Sequence, residues 1–122
     1  MTRVAQRLHV KRAYEAGTDA DGCRVLVERL WPRGLRKADA EIDAWLKDIA
    51  PSTELRKWYG HDVARWPEFK RRYQAELRAN EAAVAELLQH ARRGNTTLIY
   101  AAHDEQHNSA VVLRAFVARR LR

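Results

Sequence analysis

The chain has a single cysteine, Cys23. With no second thiol it forms no internal disulfide, which sets aside the small cross-linked secreted folds and suits a reducing, cytoplasmic setting. Long apolar runs are missing as well. The longest are Val25-Leu26-Val27 and Leu98-Ile99-Tyr100-Ala101-Ala102, far short of the ~20 residues that cross a bilayer, so no membrane partner is expected. Met1 to Arg7 starts positive, but no apolar stretch follows, and it does not read as a secretory signal. There is no Gly-rich phosphate loop, no Gly-x-Ser-x-Gly elbow and no paired Cys motif. Repeats, low-complexity tracts and linkers are also absent.

What is present fits one globular α/β domain over residues 1–122. Hydrophobic residues make up 46% and charged residues 32%, a balance that buries a core and excludes a disordered chain. The net charge is +7 and unevenly spread. Residues 38–62 are acidic, whereas the stretches on either side are basic. Arginine outnumbers lysine 18 to 5. The guanidinium fork suits bidentate contact with phosphate or carboxylate. The plainer account is a surface of solvated charges in a chain whose coding favours Arg over Lys.

Hydrophobic periodicity gives the elements. Leu8 to Tyr14 alternates as a half-buried strand does. Arg24-Val25-Leu26-Val27 and Thr97 to Ala102 are apolar on both faces, like strands covered on both sides. Phe69, Tyr73 and Leu77 mark one face of a helix opened by Trp66-Pro67. Asn80 suits that helix's end. Val84, Leu87, Leu88 and Ala91 mark a second helix. A last helix from about Ser109 carries Val112, Leu113, Phe116 and Val117 inward, with Arg119, Arg120 and Arg122 in its final turn, where they complement the helix dipole. Ser52 reads as the N-cap of a short helix ending at Gly60. Residues 38–50 read two ways. Ile42, Trp45, Leu46 and Ile49 keep helical spacing, and a helix is the reading adopted; an extended path from Ala44 to Pro51 is the alternative. Strands separated by helices imply a small, mostly parallel sheet with helices packed on its faces.

In open α/β sheets ligands bind beyond the carboxyl ends of the strands. One strand delivers Glu28, Arg29 and then Arg33 to that edge, and the other delivers His103, Asp104, Glu105, His107 and Asn108. Arg29 and Arg33 suit an anion clamp, or alternatively an ion pair of Arg29 with Asp104 or Glu28. Asp104 suits proton transfer or the orientation of His107, while Asn108 suits capping of the last helix. His103 and His107 lack an evident third metal ligand. Cys23 precedes its strand and reads as a small hydrophobe. Trp31, Trp45, Trp58 and Trp66 offer ring faces for bases, although helical spacing places Trp45 and Trp66 in the core. Trp31-Pro32 admits the rarer cis bond.

Four stretches carry a family resemblance: Arg24 to Gly34 (RVLVERLWPRG), Trp45 to Ser52 (WLKDIAPS), Glu54 to Asp62 (ELRKWYGHD) and Tyr100 to Asn108 (YAAHDEQHN). In this order they resemble the signature segments of the YeaO-like family, domain of unknown function 488. The resemblance implies a small α/β domain with no established activity. The family pattern usually has Asp where this chain has Glu28, and Lys where it has His103. It also implies an extended path into Ala50-Pro51-Ser52, which would bring Lys47, Asp48 and Ser52 beside Arg29, Arg33 and Asp104.

Three functions follow as expectations. The first is binding of, or catalysis on, a small anion such as a nucleotide or phosphate ester. Asp104, Glu28 and His107 would be its catalytic groups, and Arg29, Arg33, Lys47, Asp48, Ser52 and Asn108 its binding groups, with no cofactor or metal. The second is a regulatory or interaction domain without catalysis. The third is a basic module that binds nucleic acid.

Overall fold

A computed structural model describes residues 7–121. The reading of the N-terminus and the placing of Arg122 lie wholly or largely outside them. Four strands, β1 (Leu8–Arg12), β2 (Cys23–Leu26), β3 (Ala44–Trp45) and β4 (Thr96–Tyr100), form one sheet in the order β1-β4-β2-β3. Every neighbouring pair is parallel, with Val10 and Val25 both opposite Leu98 in register. Five helices join them: α1 (Lys37–Ala40), α2 (Thr53–Tyr59), α3 (Trp66–Ala79), α4 (Glu81–Arg93) and α5 (Ser109–Arg120). Parallel pairing brings all the strand C-termini to one edge, and that edge carries the site.

The central strands are buried because both faces of the sheet are covered. Val25 and Leu98 face a large core shared with Phe69, Tyr73, Leu87 and Leu113. Leu26 and Ile99 face the opposite way, into a thinner layer with Ala13, Trp31, Leu35, Ile42 and Trp45. The helix signals act as the residues dictate. Ser52 Oγ accepts the Leu55 N–H at 3.1 Å to start α2, and Gly60 ends it with φ 52°. Pro67 sits in the first turn of α3, where its missing N–H costs nothing, and Asn80 closes that helix. Asn108 Oδ1 accepts the Val111 N–H at 3.1 Å at the head of α5.

The helix expected across residues 38–50 does not form. After the short α1, Glu41 turns left-handed at φ 51° and the chain extends into β3. Asp43 N–H donates to the Arg24 carbonyl at 2.8 Å and Leu46 N–H to the Leu26 carbonyl at 2.9 Å, pairing what would be an open edge of β2. A single 3₁₀ turn, Lys47–Ile49, follows. The apolar spacing misled because its residues serve two layers: Ile42 and Trp45 join the thin layer, Leu46 and Ile49 the main core. A strand that crosses from one face to the other imitates a helical stripe. The chain is extended at β3 and again at Ala50, as the family resemblance implies, but the 3₁₀ turn Lys47–Ile49 interrupts that path. Strand bounds also move by a residue or two, and the Trp31-Pro32 bond is trans.

Candidate functional site

A cleft of about 770 Å³ opens at the C-terminal edge of the sheet. Glu28 and Arg29 reach it from the end of β2, Ala101 to Asp104 from the end of β4, and Tyr14 from just past β1. The two charged clusters foreseen at separate strand ends therefore meet. Glu28, Arg29, Arg33, His103, Asp104, His107 and Asn108 all line the cleft.

Glu28 is half-buried. Its Oε2 accepts the Ala101 N–H at 3.0 Å, and its backbone carbonyl accepts Trp45 Nε1–H at 2.6 Å. Burial above all pushes its carboxyl above the usual range, while the Ala101 N–H and the Arg56 guanidinium pull the other way. A group whose folded pKa is raised adds least stability when charged. The penalty is absent in acid, where Glu28 is protonated folded and unfolded alike, and it grows as pH rises through the ordinary Glu range to the raised value. Glu28→Gln carries no such charge. Its stability relative to the wild type is therefore expected to improve between pH 4 and pH 7, read as a difference in urea midpoints. A difference that does not change with pH would show that Glu28 bears no burial penalty.

Arg29 makes neither of the ion pairs considered for it. Its Nη2 and Nε donate to the carbonyls of Ala50 and Pro51 at 3.1 and 3.3 Å, tying the 3₁₀ turn to the end of β2. Arg33 is exposed. Among the described residues, neither the Arg33 nor the Arg56 side chain makes a hydrogen bond or an ion pair within 4 Å. Asp104 Oδ2 takes the Nδ1–H of His107 at 2.9 Å, and its Oδ1 accepts the N–H groups of Gln106 and His107. The Gln106 N–H chiefly, with the His107 ring beside it, holds the Asp104 carboxyl below its usual range. The pairing fixes Nδ1 as the protonated nitrogen, so His107 Nε2 is the atom left for proton exchange. Behind it the Trp66 ring stands edge-on at 5.3 Å, and the Tyr59 hydroxyl donates to the His107 carbonyl at 2.9 Å. Burial chiefly, and then the charge of Asp104, push the Tyr59 phenol up and keep it a donor. Asn108 combines capping with a bond from Nδ2 to the Asp104 carbonyl, so it holds the turn rather than standing free in the cleft.

Three nominated residues lie elsewhere. The Lys47 ammonium sits 4.1 Å over the Trp45 ring, the Asp48 carbonyl accepts Asn80 Nδ2–H, and the Ser52 hydroxyl donates to Glu76 at 2.6 Å. The cleft takes Tyr14, Arg56, Tyr59 and His61 instead. Arg56, Tyr59 and His61 fall in a stretch already singled out, Glu54 to Asp62, but were not nominated. His61 stands at φ 60°, just after Gly60, in a left-handed turn that brings the end of α2 to the cleft. All four tryptophans are half-buried; Trp31 and Trp45 pack edge to face, and the Trp58 ring meets the guanidinium groups of Arg65 and Arg72. Cys23 opens β2 at the opposite end of the strand, half-buried, with burial pushing its thiol up. Among the described residues no three His, Cys, Asp or Glu side chains come together as a metal-ligand set. No described helix is long and apolar enough to cross a membrane.

A family model described as the inactive DUF488-N3 subclade matches residues 7–122. The chain belongs to the YeaO-like DUF488 family. Its relatives in that family include the uncharacterized protein Rv3073c of Mycobacterium tuberculosis, 46% identical over 107 residues that cover 88% of this chain and 90% of the relative. The uncharacterized protein YeaO of Escherichia coli K12 is 42% identical over 106 residues, 87% of this chain and 92% of that one. No solved structure matches this member of the DUF488 family.

Proposed function

We propose that this protein binds a small anion, a nucleotide or other phosphate ester, in the cleft at the strand C-termini and releases it unchanged. One observation carries the reading: Arg33 and Arg56, which make no ion pair within 4 Å among the described residues, line the same cleft, Arg56 acting on the Glu28 carboxyl only from beyond that distance. Arginine left unpaired beside a concave, partly apolar surface is suited to bidentate capture of phosphate or carboxylate. Arg29 reinforces the positive field while holding the wall. Binding without turnover accords with a family model described as an inactive subclade.

Calorimetric titration with phosphate esters tests this. Arg33→Ala and Arg56→Ala are each expected to weaken binding about tenfold or more, because a hydrogen bond to a charged group contributes ~1.5–3 kcal/mol. Equal affinity in the wild type and the double variant would remove the proposal. Turnover is a second reading, and the Asp104–His107 pair with its available Nε2 favours it. Release of inorganic phosphate from a bound ester, lost in His107→Gln while binding persists, would establish turnover instead.

A further inference from the structure

The mouth of the cleft is apolar where a site for a bare anion would be polar. Among the described residues three large hydrophobic side chains are exposed, Tyr14 at 44%, Leu30 at 62% and Val63 at 49%. Two of the three, Tyr14 and Leu30, line this cleft. Tyr14 is held in place: its hydroxyl donates to the Arg33 carbonyl at 2.8 Å, and the Arg12 guanidinium lies 5.1 Å from its ring centroid. An aromatic ring tethered at its far end and still exposed is a prepared surface, and the tether joins it to the backbone of an unpaired arginine.

Deeper in, the cleft holds an acceptor. Glu28 Oε2 is taken by the Ala101 N–H, while Oε1 has no hydrogen-bond partner among the described residues. No buried side-chain oxygen or nitrogen there lacks a partner, so Oε1 must be reachable, and Glu28 lines the cleft. A carboxylate in an anion site repels inorganic phosphate unless the ligand also brings a donor to face it. The volume agrees, since about 770 Å³ lies in the range for a ligand much larger than phosphate.

Building on the anion-binding reading, we propose that the ligand is a nucleotide-like molecule, a flat heteroaromatic ring carrying both an N–H donor and an anionic group. The ring lies against Tyr14 and Leu30, its N–H edge donates to Glu28, and the anionic group meets Arg33 and Arg56. Glu28 is then the residue that sets specificity, reading the ring edge rather than the phosphate. Glu28→Gln keeps an oxygen for the Ala101 N–H but offers the ligand an amide N–H, so donor meets donor.

The test is calorimetry on the full chain with inorganic phosphate, ribose 5-phosphate and the four common nucleoside monophosphates, using the wild type, Glu28→Gln and the surface variant Leu30→Ala. At least one monophosphate is expected to bind ten times tighter than ribose 5-phosphate. Glu28→Gln should erase most of that preference, and Leu30→Ala should reduce it, each leaving ribose 5-phosphate within about twofold. A trinucleotide in the same series distinguishes a free nucleotide from one at the end of a strand, according to which binds tighter. Equal affinity for ribose 5-phosphate and every monophosphate would overturn ring recognition and leave the anion site standing. So would a loss in Glu28→Gln shared by all ligands. No binding of phosphate in any form would overturn both. Leu30→Ala trims an exposed side chain at the cleft and keeps the test decisive should Glu28→Gln fold poorly.

Discussion

Arg24→Met is expected to destabilise the protein by about 3–5 kcal/mol, the cost of leaving one member of a buried charge cluster without its partner. Arg24 is only 3% exposed. Its Nη1 donates to Asp21 Oδ2 at 2.7 Å, Nη2 to the Ala40 carbonyl at 3.0 Å and Nε to the Glu41 carbonyl at 3.1 Å. The methionine would fill much of the space yet strand two carbonyls and half of the Asp21 pairing, with Lys11 remaining at 3.1 Å. For a chain of this size the melting temperature should fall by roughly 10–20 °C. An unchanged melting temperature would mean that apolar packing replaces the cluster without loss. Asp21 gives the same cluster a pH signature. Burial opposes its ionisation, but the Thr18 N–H, Arg24 and Lys11 outweigh it and bring the carboxyl down to about 2 from 3.8. A depressed carboxyl contributes its stability above the unfolded value and loses it as pH falls through the folded one. The contribution, roughly 2 kcal/mol, should therefore disappear between about pH 4 and pH 2, and Asp21→Asn should flatten that limb of the stability curve.

The neighbouring residue carries a comparable effect through the backbone alone. Gly22 has φ 63° and ψ −134°, a region that only glycine occupies comfortably. A methyl group there would come within 2.2 Å of the Asn95 carbonyl oxygen, and that oxygen is already the acceptor for the Cys23 N–H at 2.9 Å. Neither backbone can give way without breaking the entry to β2. Gly22→Ala is expected to cost at least ~3 kcal/mol, the upper end for backbone strain with the clash added. Loss of soluble protein, or a urea midpoint lowered with unchanged slope, would agree with this; a wild-type midpoint would show that the turn relaxes freely.

The parts of this molecule that could be read from its sequence are those whose neighbours do not change their meaning. β2 and β4 announce themselves because Val25, Leu26, Leu98 and Ile99 are apolar in both directions, and only a strand covered on both faces needs that. The stripe Phe69, Tyr73 and Leu77 faces a single core, so its period is honest. The segment containing β3 is different. Ile42, Trp45, Leu46 and Ile49 are divided between two layers, and no local pattern reports which side of a sheet a residue will meet. The site follows the same division. Knowing only that strand ends collect ligands was enough to bring Glu28, Arg33, Asp104 and His107 together. It could not say that the Arg29 guanidinium would be taken by the carbonyls of Ala50 and Pro51, because that depends on where the chain returns. Nor could it bring Arg56 and His61 to the cleft, since Arg56 comes from α2 itself and His61 from the left-handed turn after it. Lys47 and Asp48 belong to the site only on the extended path that the family resemblance implies, and the 3₁₀ turn Lys47–Ile49 turns them aside.

The strand order has a consequence for how the molecule comes into being. β1 is made first, yet its hydrogen-bonded neighbour is β4, which is made nearly last. β2 and β3 are both made before β4, and the other edge of β2 also takes β4 as its neighbour. During synthesis the amino-terminal strand must remain unclaimed until most of the chain has emerged, and one late segment then closes both halves together, against a large loop-closure cost. That same segment supplies Ala101 to Asp104. A chain in which β4 has not yet docked lacks that wall of the cleft, so ligand uptake is expected to follow the arrival of the last strand.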